Sequence, residues 1–234
     1  MKKTAYHIYA CGDSALTIEL SNVMDELINE QILSLFHCLQ KQKNKFIKDI
    51  IPAYSSLTVI YYVIEIKKHH DNAFIFIRDW IENILANQYL QVTIDHRLIT
   101  IPVCYDTSLA LDIIELAAQK NISVQELIHL HTQKKYRVYM IGFLPGFAYM
   151  GKVDERIAAP RKSTPRTNII AGSVGIAGEQ TGIYPLDSPG GWNIIGRTPL
   201  KMFDATKEQP TFLQAGDEVE FVSISLEEFN QQLL

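Results

Sequence analysis

"SPGGWNIIGRTP", residues 188–199, places two prolines, three glycines, a tryptophan and an arginine within twelve positions. A helix does not run through such a stretch, because proline lacks the N–H and glycine loses the most backbone freedom on ordering. It reads as a tight turn between strands. The flanking sequence extends that reading. From Tyr136 onward, short apolar segments at 138–143, 169–177, 182–185, 192–195 and 218–222 alternate with Gly/Pro turns. This predicts an all-β region closed as a barrel or sandwich. Ser225 with Glu228 three residues on predicts a capped final helix.

Upstream the chain differs in kind. Only Gly12 of the twelve glycines precedes Gly142, whereas all seven histidines lie at or before His131 and the three cysteines at or before Cys104. Residues 6–10 and 16–20 read as strands about a Gly12-Asp13 turn. Met24, Leu27, Ile28, Leu35, Phe36 and Leu39 keep helical spacing, which predicts a helix over 22–43. Strands are expected at 46–51, 57–64 and 90–94, with a second helix at 74–86. From Leu16 on, the order is β-α-β-β-α-β, that of a ferredoxin-like split βαβ unit. An extended stretch over 98–105 and two short helices follow. The second opens on Ser123, with Glu126 at the capping position and Ile122 and Leu127 as a hydrophobic staple. The expected division is an N-terminal α+β domain over 1–95 and a β-barrel domain over 96–234.

Composition bounds the function. The formal charge of −4 gives no general attraction for nucleic acid. Lys2-Lys3 is followed by no apolar signal core, and the longest apolar run, 57–64, is far too short to span a bilayer. Neither nucleic acid nor membrane is expected as a partner. Cys11, Cys38 and Cys104 are odd in number and form no CxxC pair, so a reduced, cytoplasmic setting is expected. His129 and His131 are two apart on a helix and point to different faces, which argues against a shared metal. Residues 146–152 have P-loop spacing, but Val153 stands where a serine or threonine would hold magnesium, and no helical pattern follows.

Three segments carry the candidate chemistry. "GFLPGFAYMG" (142–151) sets the aromatics Phe143, Phe147 and Tyr149, with Pro145, among glycines. It reads equally as a packed turn or as aromatic pocket walls that let backbone approach a ligand. "APRKSTPR" (159–166) holds Arg161 and Arg166 each directly after a proline, which restricts them before binding. Arginine's planar fork suits carboxylate and phosphate. In 188–199, Gly190-Gly191 permits positive φ and bare N–H groups, Trp192 a flat wall, Asn193 a bidentate amide and Arg197 a cation. Asp187 is the candidate acid or base, and no metal site is expected. The region lacks histidine and cysteine, so Ser-His or Cys-His catalysis within it is excluded. Binding and electrostatic stabilisation remain.

"GDSALTIEL" (12–20), "ELIHLHTQKKYRVYMIGFLPGFAYMG" (126–151), "APRKSTPRTNIIAGSVGIAGEQTGIYPLDSPGGWNIIGRTP" (159–199) and "MFDA" (202–205) together resemble the family of the 5-oxoprolinase B subunit. That family also takes in the kinase inhibitor KipI and subunit 1 of allophanate hydrolase. The resemblance runs over essentially the whole chain. It implies a cyclophilin-like barrel and a complex with the A and C subunits that opens 5-oxoproline to L-glutamate using ATP with magnesium, a site shared with those partners. Fold does not fix function, and two other activities stay open: inhibition of a histidine kinase, and service as a subunit of a urea or amide carboxyltransferase. For lactam opening, Arg161, Arg166 and Arg197 are the candidate anion ligands. Trp192, Phe147, Phe143 and Pro145 would wall the ring, and Asn193 with the Gly190-Gly191 backbone would hold polar edges.

Overall fold

In the computed structural model, which describes residues 5–42, 44–87 and 96–233, the chain divides into two compact units, Met1–Asp95 and His96–Leu234. In the first unit, alternation makes the strands: Leu16 and Ile18 of β2 (Ala15–Glu19) and Leu57, Val59 and Tyr61 of β4 (Ser56–Tyr61) are buried on one face. With β1 (His7–Ala10) and β3 (Ile47–Pro52) they form an antiparallel sheet in the order β1-β2-β4-β3. Two helices, α1 (Glu26–Lys41) and α3 (Ala73–Asn87), bring Ile32, Leu35, Leu39, Ile77 and Ile81 to the same core. Helix α1 starts later than its apolar spacing suggests, because Asp25 caps it by accepting from Ile28 N at 3.0 Å.

The run expected as one strand over 57–64 breaks. Tyr62 N donates to Phe46 O at 2.9 Å, and a short helix α2 (Val63–Lys67) turns Ile66 into the core while Ile64 faces outward. Sequence alternation reads neither event, because both depend on a partner elsewhere in the chain. β4 lies between β2 and β3, with β1 beside β2. The strand expected at 90–94 lies outside the described residues.

The second unit is built on a closed seven-stranded barrel in the order β10-β7-β6-β13-β5-β12-β9. Its strands are β5 (Leu98–Cys104), β6 (Lys135–Ile141), β7 (Ala148–Gly151), β9 (Ser173–Ala177), β10 (Gln180–Ile183), β12 (Asn193–Arg197) and β13 (Glu218–Ile224). β5 and β13 run parallel, from Leu98 opposite Glu218 to Cys104 opposite Ile224, and the other pairs are antiparallel. β8 (Arg166–Ile169) and β11 (Ser188–Gly190) make a separate two-stranded ribbon. The segment expected as one strand over 169–177 is therefore split. Gly172 sits at φ +86 with no room for a Cβ against Thr198 O, so the chain turns there.

Helices α4 (Ile113–Gln119), α5 (Val124–Thr132) and α6 (Leu226–Gln232) complete the unit. Ser123 takes the Glu126 N–H at 3.0 Å, and the capping box at Ser225 and Glu228 is closed in both directions. His131 of α5 is fully buried in the barrel core. Thr181 Oγ1 donates to Gly175 O at 3.1 Å and accepts from His131 Nε2 at 2.9 Å; Nδ1 in turn accepts from the Tyr105 hydroxyl at 2.7 Å. This satisfied network holds the ring neutral, and burial drops its pKa to about 3. Among the described residues no helix is long and apolar enough to cross a membrane. Cys38 and Cys104 are buried thiols and Cys11 is an exposed one.

Candidate functional site

A small aromatic cluster stands apart from the main barrel core: Phe147, Tyr184, Trp192, Ile169 and Ile194 pack together, with Leu144 and Tyr149 against them. Phe147 is the hub, edge-on to Tyr184 at 5.3 Å and to Trp192 at 5.4 Å. Two glycines make the bed. A Cβ on Gly182 would meet Phe147 Cζ at 3.0 Å and Trp192 Cζ3 at 3.1 Å, and one on Gly175 would meet Trp192 Cβ at 3.0 Å.

Above this cluster lies a cavity of about 310 Å³. Trp192, Tyr184 and Tyr149 form its aromatic walls, Phe143, Pro165 and Pro189 its apolar rim, and Gly190, Gly191 and Arg161 complete it. Mostly apolar walls with a few convergent polar groups are the usual make-up of a small-molecule site. Phe143 is 66% exposed and holds φ at +66, a backbone conformation unusual for an aromatic residue. Gly190 carries no side chain because a Cβ would run into the Tyr184 hydroxyl and lie 2.7 Å from Ile169 Cδ1.

The cavity's polar groups are a guanidinium and phenols. Arg161 is exposed and, among the described residues, no carboxylate pairs with it. Burial raises the pKa of Tyr149 and Tyr184, and the Arg161 charge works against that rise at both, with the Trp192 backbone N–H facing the Tyr184 hydroxyl as well. Both phenols stay protonated at neutral pH.

Of the residues singled out in the sequence, the structure brings Phe143, Arg161, Gly190, Gly191 and Trp192 to one cavity. Phe147 supports it from beneath, and Pro145 is exposed outside its lining. The other two arginines are engaged elsewhere. Arg166 forks onto buried Asp112, Nη1 to Oδ2 at 2.8 Å and Nη2 to Oδ1 at 2.7 Å. Arg197 Nε donates to Ala171 O at 2.9 Å, with its guanidinium over the Phe229 ring. The Asn193 amide donates to Pro160 O at 2.9 Å and Ile176 O at 3.1 Å, tying strands together. Asp187 accepts from Ala171 N at 2.7 Å and braces the turn before β9, outside the cavity. Neither Gly190 nor Gly191 has positive φ; their demand is for space. Tyr149, read with Phe143 and Phe147 as core or pocket wall, also lines the cavity, whereas sequence reasoning missed Tyr184, Pro165 and Pro189 as cavity residues. Pro165 and Pro189 nonetheless lie inside the 159–166 and 188–199 segments, so proximity to those turns was the available signal.

Asp112 organises the segment that carries Arg161. Its carboxylate also takes Lys162 Nζ at 2.8 Å and Ile194 N at 2.7 Å, and Lys162 N donates to Gly191 O at 2.7 Å. Burial alone would raise the Asp112 pKa; the bonds from Arg166, Lys162 and Ile194 outweigh it and leave the carboxyl below its usual range.

Residues 6–213 match the family described as carboxyltransferase domain, subdomain C and D. The B subunit of 5-oxoprolinase from Bacillus subtilis (strain 168) is 42% identical over 233 residues, covering 96% of this chain and 95% of that protein. Its counterpart from Escherichia coli O157:H7 is 35% identical over 214 residues, covering 92% and 94%. The crystal structure of TTHA0988 superposes with a TM-score of 0.78 at 31% identity over 91% of this chain; the chain spans 40% of that protein.

Proposed function

The chain belongs to the carboxyltransferase subdomain C and D family together with the 5-oxoprolinase B subunits, and from that premise we propose that it is the non-autonomous B subunit of an ATP-dependent 5-oxoprolinase. The reaction opens 5-oxoproline to L-glutamate: the ring C–N bond breaks, the carbonyl carbon takes the oxygen of water as a carboxylate, and the nitrogen leaves as an amine that gains a proton. The observation that carries the reading within this chain is the aromatic cavity with unpaired Arg161 at its mouth. It suits a small flat ring bearing one carboxylate.

Magnesium-ATP does not suit the same residues. A triphosphate calls for several converging cations or N–H groups, and among the described residues Arg161 is the one cation lining the cavity. Among the described residues no group of three or more His, Cys, Asp or Glu is placed to hold a metal. The nucleotide is therefore assigned to the A and C subunits, or to a site completed by them, and this chain's part is to bind and orient the lactam. In this reading the first unit is a ferredoxin-like split βαβ domain over 1–95, supported by β4 lying between β2 and β3. The second, over 96–234, is a cyclophilin-like barrel that carries the site, and the buried thiols Cys38 and Cys104 fit a reducing cytoplasm.

The test is 5-oxoproline-dependent ATP hydrolysis by purified A and C subunits with and without this chain. Turnover that appears only on adding it supports the reading; equal turnover without it removes the reading. The carboxyltransferase character of the family favours one second reading, a subunit of a urea or amide carboxyltransferase. That reading predicts carboxyl transfer to an amide with a separate biotin carrier and no 5-oxoproline-dependent hydrolysis.

A further inference from the structure

The cavity is one-sided in its polar chemistry. No Asp or Glu among the described residues lines it, whereas Arg161 and Tyr184 present donors. The Tyr184 ring is 1% exposed, so its hydroxyl is fixed by packing. The hydroxyl lies against Gly190 at the cavity, and among the described residues no acceptor takes its proton. A packed hydroxyl at a cavity wall whose proton has no acceptor is poised to donate to a ligand. A cationic nitrogen brought into this space is repelled by the Arg161 guanidinium and finds no carboxylate, so the aromatic faces of Trp192, Tyr149 and Tyr184 offset only part of its lost hydration.

We propose that this cavity selects a cyclic amide bearing a carboxylate against ammonium-bearing relatives of the same size, with the Tyr184 hydroxyl donating to the ring carbonyl and Arg161 to the carboxylate. The inference rests on the proposed lactam-opening function for its choice of ligand and deepens it in two ways. It makes Tyr184 a specificity determinant, and it gives product a reason to leave. The lactam nitrogen is uncharged, whereas the ring-opened product carries an ammonium group beside Arg161. Opening the ring thus turns a fitted ligand into a poorly matched one.

Calorimetric titration of the complex assembled with the A and C subunits, without nucleotide, tests this with three probes: 5-oxoproline, L-proline and cyclopentanecarboxylate. The first has a carbonyl and a carboxylate, the second an ammonium and a carboxylate, the third a carboxylate alone. L-proline is expected to bind at least tenfold more weakly than 5-oxoproline. Tyr184→Phe is expected to weaken 5-oxoproline about tenfold, as loss of a fitted donor does, and to leave cyclopentanecarboxylate within about twofold. Arg161→Gln, at an exposed position, is expected to weaken 5-oxoproline and cyclopentanecarboxylate alike. The proposal is overturned if L-proline binds as tightly as 5-oxoproline, if Tyr184→Phe weakens both carboxylates alike, or if neither carboxylate binds. Turnover of 5-oxoproline is scored separately. Selective binding without turnover sinks the lactam-opening function and spares the selectivity; turnover with unselective binding does the reverse.

Discussion

Gly190 and Gly191 are neighbours at the cavity and differ in what a side chain would meet. A methyl on Gly190 collides with the Tyr184 hydroxyl and Ile169, whereas the nearest atoms to one on Gly191 are 3.7 Å away. Gly190→Ala should therefore cost about 1–3 kcal/mol by overpacking, and it should push Tyr184 from the cavity wall and weaken ligand binding. Gly191→Ala should stay within about 0.5 kcal/mol. Urea denaturation of the two variants checks this, and equal costs would remove the steric account. The same scale shows what residue type cannot tell. Arg161, Arg166 and Arg197 read alike in the sequence, since a guanidinium suits any carboxylate. Only the fold brings Asp112 under Arg166 and Ala171 O to Arg197, leaving Arg161 without a partner among the described residues. Asn193 misled for the same reason: its amide matches a ligand's edge as well as it matches two backbone carbonyls. Of the expected aromatic and proline walls, Trp192 and Phe143 line the cavity, while Phe147 lies beneath it and Pro145 outside it.

Among the elements, the segment from Pro160 to Arg166 has no strand ladder of its own before β8 and depends on Asp112 for its place over β12. Asp112→Asn keeps the shape and removes the charge. It should cost about 2–3 kcal/mol, less than a fully buried pair, because Lys162 and Arg166 still reach water. It should also loosen Arg161 and lower affinity for carboxylate ligands. The pH dependence has a definite sign. With its folded pKa below the unfolded value near about 3.9, Asp112 contributes stability that is present above that value and lost as pH falls through the depressed folded one. In thermal unfolding the stability gap between wild type and variant should narrow as pH falls below the unfolded value; a gap that stays constant through the acid range would assign the effect to shape rather than charge. No pattern in 159–166 or around Asp112 announces this link, since its partners are about fifty residues apart. By contrast, the β-α-β-β-α course of the first unit and the Gly/Pro-punctuated strands of the second were legible, because each element carries its own period and its own stops. The run over 57–64 failed because apolar content does not show where pairing ends.

At the scale of the molecule, the two units keep separate cores and one tryptophan each, Trp80 packed against the first core and Trp192 in the aromatic cluster of the second. This makes the second unit's response to acid measurable by itself in a Trp80→Phe background. His131 governs that response over the mildly acidic range. In the unfolded chain its imidazole takes up a proton below about pH 6.5, while in the barrel it does so only near about 3. Between these values the unfolded state holds more protons, so stability falls with falling pH. The expected loss is about 2–3 kcal/mol from pH 6.5 to 4.5, at about 1.4 kcal/mol per unit. His131→Gln should remove most of that slope. It should also lower stability at pH 7, where the hydrogen bonds to Tyr105 and Thr181 are no longer matched. Urea unfolding followed by Trp192 fluorescence at pH 7, 5.5 and 4.5 separates the two effects. A wild-type slope that persists in the variant would transfer the acid sensitivity to other groups and leave His131 as a packing residue. The Asp112 effect sets in below this window, so the two carriers of acid sensitivity in the second unit are resolved by pH as well as by mutation.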